Sequence, residues 1–168
     1  MRALLAAIAA GHDRDLRAAG EAIGLSPRHA HYYGLAATDT LGLATRASAT
    51  QALGTEGARL ELTALGRALL ATRERSQDER TVWRQAILDS VSVTSIAPDL
   101  LDQDGPTAVA LTQRMIHAGL SPATARRRAS TLLSWRRYAL SRQTALPLPV
   151  AKVQPTKVQP AKKRRRAS

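Results

Sequence analysis

Ile23-Gly-Leu-Ser-Pro-Arg-His-Ala-His-Tyr-Tyr33 holds a helix stop and a helix start within four residues. Gly24 suits the left-handed position just after a helix, Ser26 is a strong N-cap, and Pro27 fits the first helical position. Upstream, Leu16, Ala19 and Ile23 recur at helical spacing, so a helix over about Arg14–Ile23 is expected. Before it, Leu4, Leu5 and Ile8 place a first amphipathic helix over Met1–Ala10. Downstream, Ala30, Gly34 or Tyr33, Ala37 and Leu41 share one face and predict a third helix over Pro27–Leu41.

Gly42 ends that helix. Leu43–Arg46 and Arg59–Thr63 each show short alternation, and the polar stretch between them carries Gly54 and Gly57. Two short strands joined by a Gly-bearing loop predict a hairpin. The loop is poor in Lys and Arg. Thr63 then caps a fourth helix, Ala64–Thr72, with Leu65, Ala68 and Leu69 inward.

Three helices and a hairpin, with a tight Gly turn between helices two and three, form the pattern of a winged helix-turn-helix. The stretch Ile23–Tyr33, then Leu41-Gly-Leu43, then Leu62-Thr-Ala-Leu-Gly-Arg-Ala-Leu-Leu70 resembles prokaryotic winged-helix DNA-binding domains over about residues 1–72. In those domains Leu-Thr-x-x-Gly closes the wing and opens the next helix. The paired tyrosines and the later Arg/Trp segment also look like winged-helix modules found beside bacterial restriction and defence nucleases. The resemblance implies that the third helix reads DNA. Its exposed face would carry Arg28, His29, Tyr32 and Leu35, with Arg28 reaching guanine O6/N7 or a phosphate. Tyr33 reads as core or dimer packing. Asp39 would repel phosphate, which confines contact to the first two turns.

Gly-Leu-Ser-Pro recurs at Gly119–Pro122, between expected helices Thr107–Ala118 and Pro122–Ser141. This is a second helix-turn-helix-like pair. Its second helix carries Arg126, Arg127, Arg128, Arg136, Arg137 and, just past its end, Arg142, and no acid. Ala125, Ala129, Leu132, Leu133 and Trp135 form its apolar side. A solvated helix usually mixes charge signs in i,i+4 pairs, so an unmixed one points to an anionic partner. Between the two pairs a helix is expected over Gln77–Ser90. Ser76 and Glu79 form a capping box for it, and Trp83 sits in its apolar stripe. Residues 91–106 read as a linker or short strand, with Asp104 as a helix cap.

The 168 residues carry 25 Lys+Arg against 13 Asp+Glu, a net charge of +12. Residues 1–104 hold 11 arginines and all 13 acids, a balance of −2. Residues 105–168 hold 14 basic residues and no acid. The end of the chain, 144–168, is rich in Pro and Lys. It repeats Lys-Val-Gln-Pro at Lys152 and Lys157 and finishes in Lys162-Lys163-Arg164-Arg165-Arg166. Proline blocks helix there, so a disordered cationic tail able to track a phosphate backbone is expected.

The expected organisation is mainly α. A winged helix-turn-helix domain (1–75) is followed by a helical Arg-rich module (76–143) and the tail (144–168). The absence of Cys excludes disulfides, thiolate metal sites and cysteine nucleophiles. No apolar run approaches a membrane span, and the start of the chain lacks a signal-peptide pattern. A soluble, prokaryotic, cytoplasmic protein associated with the nucleoid is expected.

Asp99, Asp102 and Asp104 cluster, but no companion Glu/Lys motif follows. His29 and His31 diverge by about 200° on a helix and cannot share a metal. His12 and His117 are isolated. Neither a Gly-x-Gly-x-x-Gly motif nor a P-loop occurs. We therefore expect no catalysis, no cofactor, no metal and no small-molecule ligand. The expected partner is double-stranded DNA, in preference to RNA because exposed stacking aromatics are scarce. A homodimer is compatible with the pattern. An architectural role leads. A sequence-specific transcriptional regulator and a protein-interaction subunit of a DNA-processing or defence complex are the alternatives.

Overall fold

A computed structural model describes residues 1–47 and 59–141. The hairpin loop and the tail, with Arg142, Lys152, Lys157, Lys162, Lys163, Arg164, Arg165 and Arg166, lie outside the described residues. The chain is mainly helical. The helices are α1 (Arg2–Ala9), α2 (Leu16–Glu21), α3 (Pro27–Leu35), α4 (Ala64–Ala71), α5 (Gln77–Leu88), α6 (Val91–Thr94), α7 (Ala108–His117) and α8 (Pro122–Leu140). Strands β1 (Ala44–Ala47) and β2 (Arg59–Leu62) pair antiparallel, with Ala44 opposite Leu62 and Arg46 opposite Leu60.

The expected helix starts hold because their caps hold. Asp15, Ser26, Thr63, Ser76 and Thr107 each accept a backbone N–H from three residues on. Thr107, and not Asp104, caps α7. Asp104 stands in the turns before it, too far upstream to reach the orphan amides of that helix. Residues 91–106 are not extended. Ser90 caps the short α6, and successive turns follow it.

The third helix departs from its expected form. It is α-helical only to Leu35 and continues as a π-helical turn over Ala36–Thr40. The Leu41 N–H donates across five residues to the Ala36 carbonyl at 2.9 Å. The Thr38 hydroxyl meanwhile donates to the Gly34 carbonyl at 3.1 Å. Ala37 and Leu41 are both buried.

Both Gly-Leu-Ser-Pro stretches build the same turn. Gly24 and Gly119 have φ of 71° and 88°. Leu25 N–H donates to the Gly20 carbonyl at 2.9 Å, and Leu120 N–H donates to the Met115 carbonyl at 3.0 Å. These are the closing bonds of a left-handed helix end. Aligning Gly24 with Gly119 also aligns buried Ala30 with Ala125, Gly34 with Ala129, and Ala37 with Leu132. Small residues are needed at this crossing. A Cβ on Gly20 would lie 2.2 Å from the Ala30 Cβ.

Leu41-Gly-Leu43 and Leu62-Thr-Ala-Leu-Gly66 lock together. Thr63 N–H donates to the Leu43 carbonyl at 3.1 Å, and its hydroxyl donates to the Gly42 carbonyl at 2.7 Å. Gly66 N–H donates to the same hydroxyl at 3.1 Å. The strands thus run directly into α4. Leu60 N–H also donates to the Asp13 carbonyl at 2.7 Å, which ties the hairpin to the loop between α1 and α2.

The core is continuous from Leu4 to Ala139 and passes across the expected boundary at 75/76 without a gap. Its buried members carry no aromatic ring, and Trp83 and Trp135 pack half-buried against it. Leu4, Leu5, Leu41, Leu43, Leu69, Ile87, Leu100 and Leu111 are its largest fully buried members, and none of the five aromatic residues is buried. No helix among the described residues is long and apolar enough to cross a membrane.

Candidate nucleic-acid interface

Arginine dominates the chemistry of this chain, and the fold sorts its arginines into two kinds. One kind is engaged. Arg2 donates to Glu79 and to carbonyls at the end of α4. Arg17 pairs with Glu21, Arg84 donates to the Ala139 carbonyl, and Arg114 forms a two-pronged pair with Asp99 at 2.5 and 2.9 Å. The Arg114 hydrogen bond holds the Asp99 carboxyl below its ordinary range. One member of the Asp99–Asp102–Asp104 cluster is thereby accounted for as a structural ion pair. Among the described residues no group of three or more acids or histidines is arranged to hold a metal ion.

Arg136 also belongs to the engaged kind. Its Nη2 donates to the Asp102 and Gln103 carbonyls at 2.8 and 2.9 Å, and its Nε is buried without a partner. It pins the turn after α6 onto α8. Gly105 makes room for it, since a Cβ there would lie 2.8 Å from Arg136 Nε. Sequence spacing placed Arg136 with the phosphate-facing cations. The tertiary fold turns it inward.

The other kind is exposed. Arg126, Arg127, Arg128 and Arg137 all project from α8 into solvent. Among the described residues no carboxylate pairs with any of them. The chain has no acid after Asp104 that could do so locally. In the alignment of the two turns, Arg126, Arg127 and Arg128 occupy the places of His31, Tyr32 and Tyr33 on α3.

The start of α3 is equally open. Arg28, His29, His31, Tyr32 and Tyr33 are exposed, Tyr32 at 54% and Tyr33 at 42%. Tyr33 therefore does not pack in the core of this chain, which removes the core half of its sequence reading as core or dimer packing. Gly34 takes the inward place, against the Leu16 side chain. The Arg28 guanidinium carbon lies 6.0 Å from the Tyr32 ring centre, a cation–π distance that holds both side chains at the helix start. His29 Nδ1 sits 2.9 Å from the Ser26 hydroxyl, which leaves Nε2 outward.

A second feature was not legible as a site. Trp83 of α5 and Trp135 and Tyr138 of α8 cluster at the edge of a cleft of about 460 Å³, which Met1, Arg2, Ala3, Glu74, Arg75, Glu79 and Ser134 complete. The Trp83 and Trp135 ring centres are 6.2 Å apart, and Trp83 meets Tyr138 edge-on at 5.8 Å. Glu79, only 2% exposed, forms the floor. Its carboxylate accepts from Arg2 at 3.0 Å, from the Arg75 N–H at 2.5 Å and from the Tyr138 hydroxyl. Burial, and then the hydrogen bond to Glu79, push the Tyr138 phenol up to about 12. The capping box is therefore only half formed. Ser76 accepts from the Glu79 N–H at 3.1 Å, while the Glu79 carboxylate turns to the tertiary cluster. Comparison with known proteins finds no matching family model, no matching curated protein and no matching solved structure.

Proposed function

We propose that this chain is a non-catalytic protein that binds double-stranded DNA in an architectural role. In this reading residues 1–72 are a winged helix-turn-helix, α7 and α8 are a second helix-turn-helix-like pair, and the tail adds a polycation. The observation that carries the proposal is the row of exposed arginines on α8, Arg126, Arg127, Arg128 and Arg137, with no carboxylate opposite them among the described residues. Four like charges on one helix repel one another, and phosphates relieve that repulsion while releasing counterions. The locked junction of Gly42, Leu43, Thr63 and Gly66 supports the winged-helix reading of the first unit. Lys152, Lys157, Lys162, Lys163, Arg164, Arg165 and Arg166 would supply sequence-independent affinity.

The test is a titration of full-length protein and of an R126A/R127A/R128A variant with one random duplex at several salt concentrations. Each lost phosphate contact lowers the slope of log K against log salt by about 0.9, so the triple variant loses roughly 2–3. An unchanged slope refutes the assignment of α8. A site-selective regulator is the second reading, favoured by exposed Arg28, His29 and Tyr32 at the start of α3. It requires that a duplex chosen by selection against the wild type lose its advantage with Arg28→Ala.

A further inference from the structure

The five aromatic side chains of this protein are all kept out of its buried core. Two of them stand on α3. The other three line the cleft between α5 and α8. Trp83 and Trp135 pack half-buried against that core, and with Tyr138 their remaining surface lines the cleft.

The cleft is balanced in charge. Arg2 and Arg75 face Glu74 and Glu79 across it. Glu79 is already met by Arg2, the Arg75 N–H and the Tyr138 hydroxyl. Its side chains thus offer aromatic surface and no net charge, which suits a neutral, planar group. The unbalanced cations begin just outside. On α8, Arg127, Thr131, Ser134 and Tyr138 fall at i, i+4, i+7 and i+11, so they form one stripe along the helix. The first three are exposed, and Ser134 and Tyr138 line the cleft. Arg127 stands about 10 Å up the helix from Ser134, at 1.5 Å per residue. That is the length of about three stacked nucleotides of one strand.

We propose that this cleft takes an unpaired base of single-stranded DNA, stacked on the Trp83–Trp135–Tyr138 cluster, with phosphates about three nucleotides along the same strand on Arg127. The inference rests on the nucleic-acid reading above and adds a second ligand class to it. A duplex keeps its bases stacked inside and cannot fill the cleft, whereas a strand end or an opened region can.

Trp83 and Trp135 are the only tryptophans in the chain, so emission excited selectively at tryptophan reports on this cleft and not on Tyr32 or Tyr33 of α3. Full-length protein is titrated with a twelve-residue oligothymidylate and, separately, with a blunt random duplex. The oligothymidylate is expected to quench the emission, and the duplex is expected to bind with little change in it. Ser134→Phe, at an exposed position, fills the cleft. It should weaken oligothymidylate binding tenfold or more and change duplex affinity by less than twofold. Arg127→Ala should weaken oligothymidylate binding while leaving the quenching at saturation intact, and it removes no cleft residue, so it stands if the Phe variant fails to fold. Duplex binding without oligothymidylate quenching overturns this inference and leaves the duplex reading in place. Quenching of equal affinity in Ser134→Phe also overturns it. Loss of both ligands in the wild type overturns both readings.

Discussion

Gly66→Ala is the sharpest test of how the hairpin is joined to α4. Gly66 is the third residue of that helix and has helical backbone geometry, so alanine is favoured there by local propensity, by about 1 kcal/mol. Tertiary contact opposes it. An added Cβ would lie 1.9 Å from the Leu43 carbonyl oxygen and 2.9 Å from its carbon. Ordinary carbon–oxygen contacts start near 3.3 Å. The carbonyl cannot yield easily, because it accepts from Thr63 N–H, and the Thr63 hydroxyl holds the adjacent Gly42 carbonyl. Relieving the clash means opening that junction. Overpacking costs about 1–3 kcal/mol, and each weakened hydrogen bond adds about 0.5–1.5. With two hydrogen bonds weakened and the propensity gain subtracted, the net loss is about 1–5 kcal/mol, which lowers the melting temperature by roughly 3–15 °C. The assay is thermal and urea unfolding followed by far-ultraviolet circular dichroism. Ala68→Gly, at an exposed position of the same helix, is the control and loses about 1 kcal/mol. A Gly66→Ala protein that melts at or above the wild type refutes the argument that Leu43 and Gly66 are in obligatory contact.

Other perturbations have equally definite outcomes. Glu79→Gln leaves Arg2 and Tyr138 without their carboxylate and should destabilise by about 2–3 kcal/mol in urea, less than for a fully enclosed pair because the Arg2 side chain is 27% exposed. The Tyr138 phenol titrates at about 12 in the fold against its ordinary 10. The folded state therefore holds that proton more tightly. The associated stability is complete below pH 10 and is lost as pH rises toward 12, a step that Tyr138→Phe should abolish in alkaline melts. Deleting residues 144–168 should lower the salt slope for duplex binding by up to about 6, from seven cations at about 0.9 each, while leaving binding measurable through α3 and α8. Complete loss of binding in that variant would mean that the folded part does not touch DNA.

Most helix boundaries were legible because caps and stops are local. Gly24, Ser26 and Pro27 act within a few residues of where they stand; the second copy repeats the glycine and proline placement, but Ser121 makes no capping bond to the backbone and its hydroxyl donates to Thr124 instead. What escaped was set by partners distant in sequence. Glu79 carries the letters of a capping box, yet Arg2 and Tyr138 claim its carboxylate across 77 and 59 residues. Arg136 repeats the spacing of its neighbours, and only the path of the turn at Asp102–Gln103 turns it inward. Tyr33 and Gly34 compete for one inward position in the helical register, and the fold gives it to Gly34. A glycine there fits against Leu16 more closely than a ring could. Of the candidate interface, the exposed cations of α8 could be read from charge alone. The cleft could not, because its walls come from α5, α8, the start of α1 and the turn before α5, which no sequence pattern brings together.

The π-helical turn at Ala36–Thr40 has a geometric consequence for the hairpin. In a uniform α-helix each residue advances 100° in azimuth, and Leu41 would return to the meridian of Ala30, facing α2. One extra residue in the turn sets everything after it back by about that angle. Leu41 is still buried, and the segment leans on β1 and α6 instead. A single continuous rod thus serves two neighbours at two bearings. The aim of the hairpin relative to the exposed start of α3 is fixed by that one added residue, in a segment that carries neither structure's exposed face.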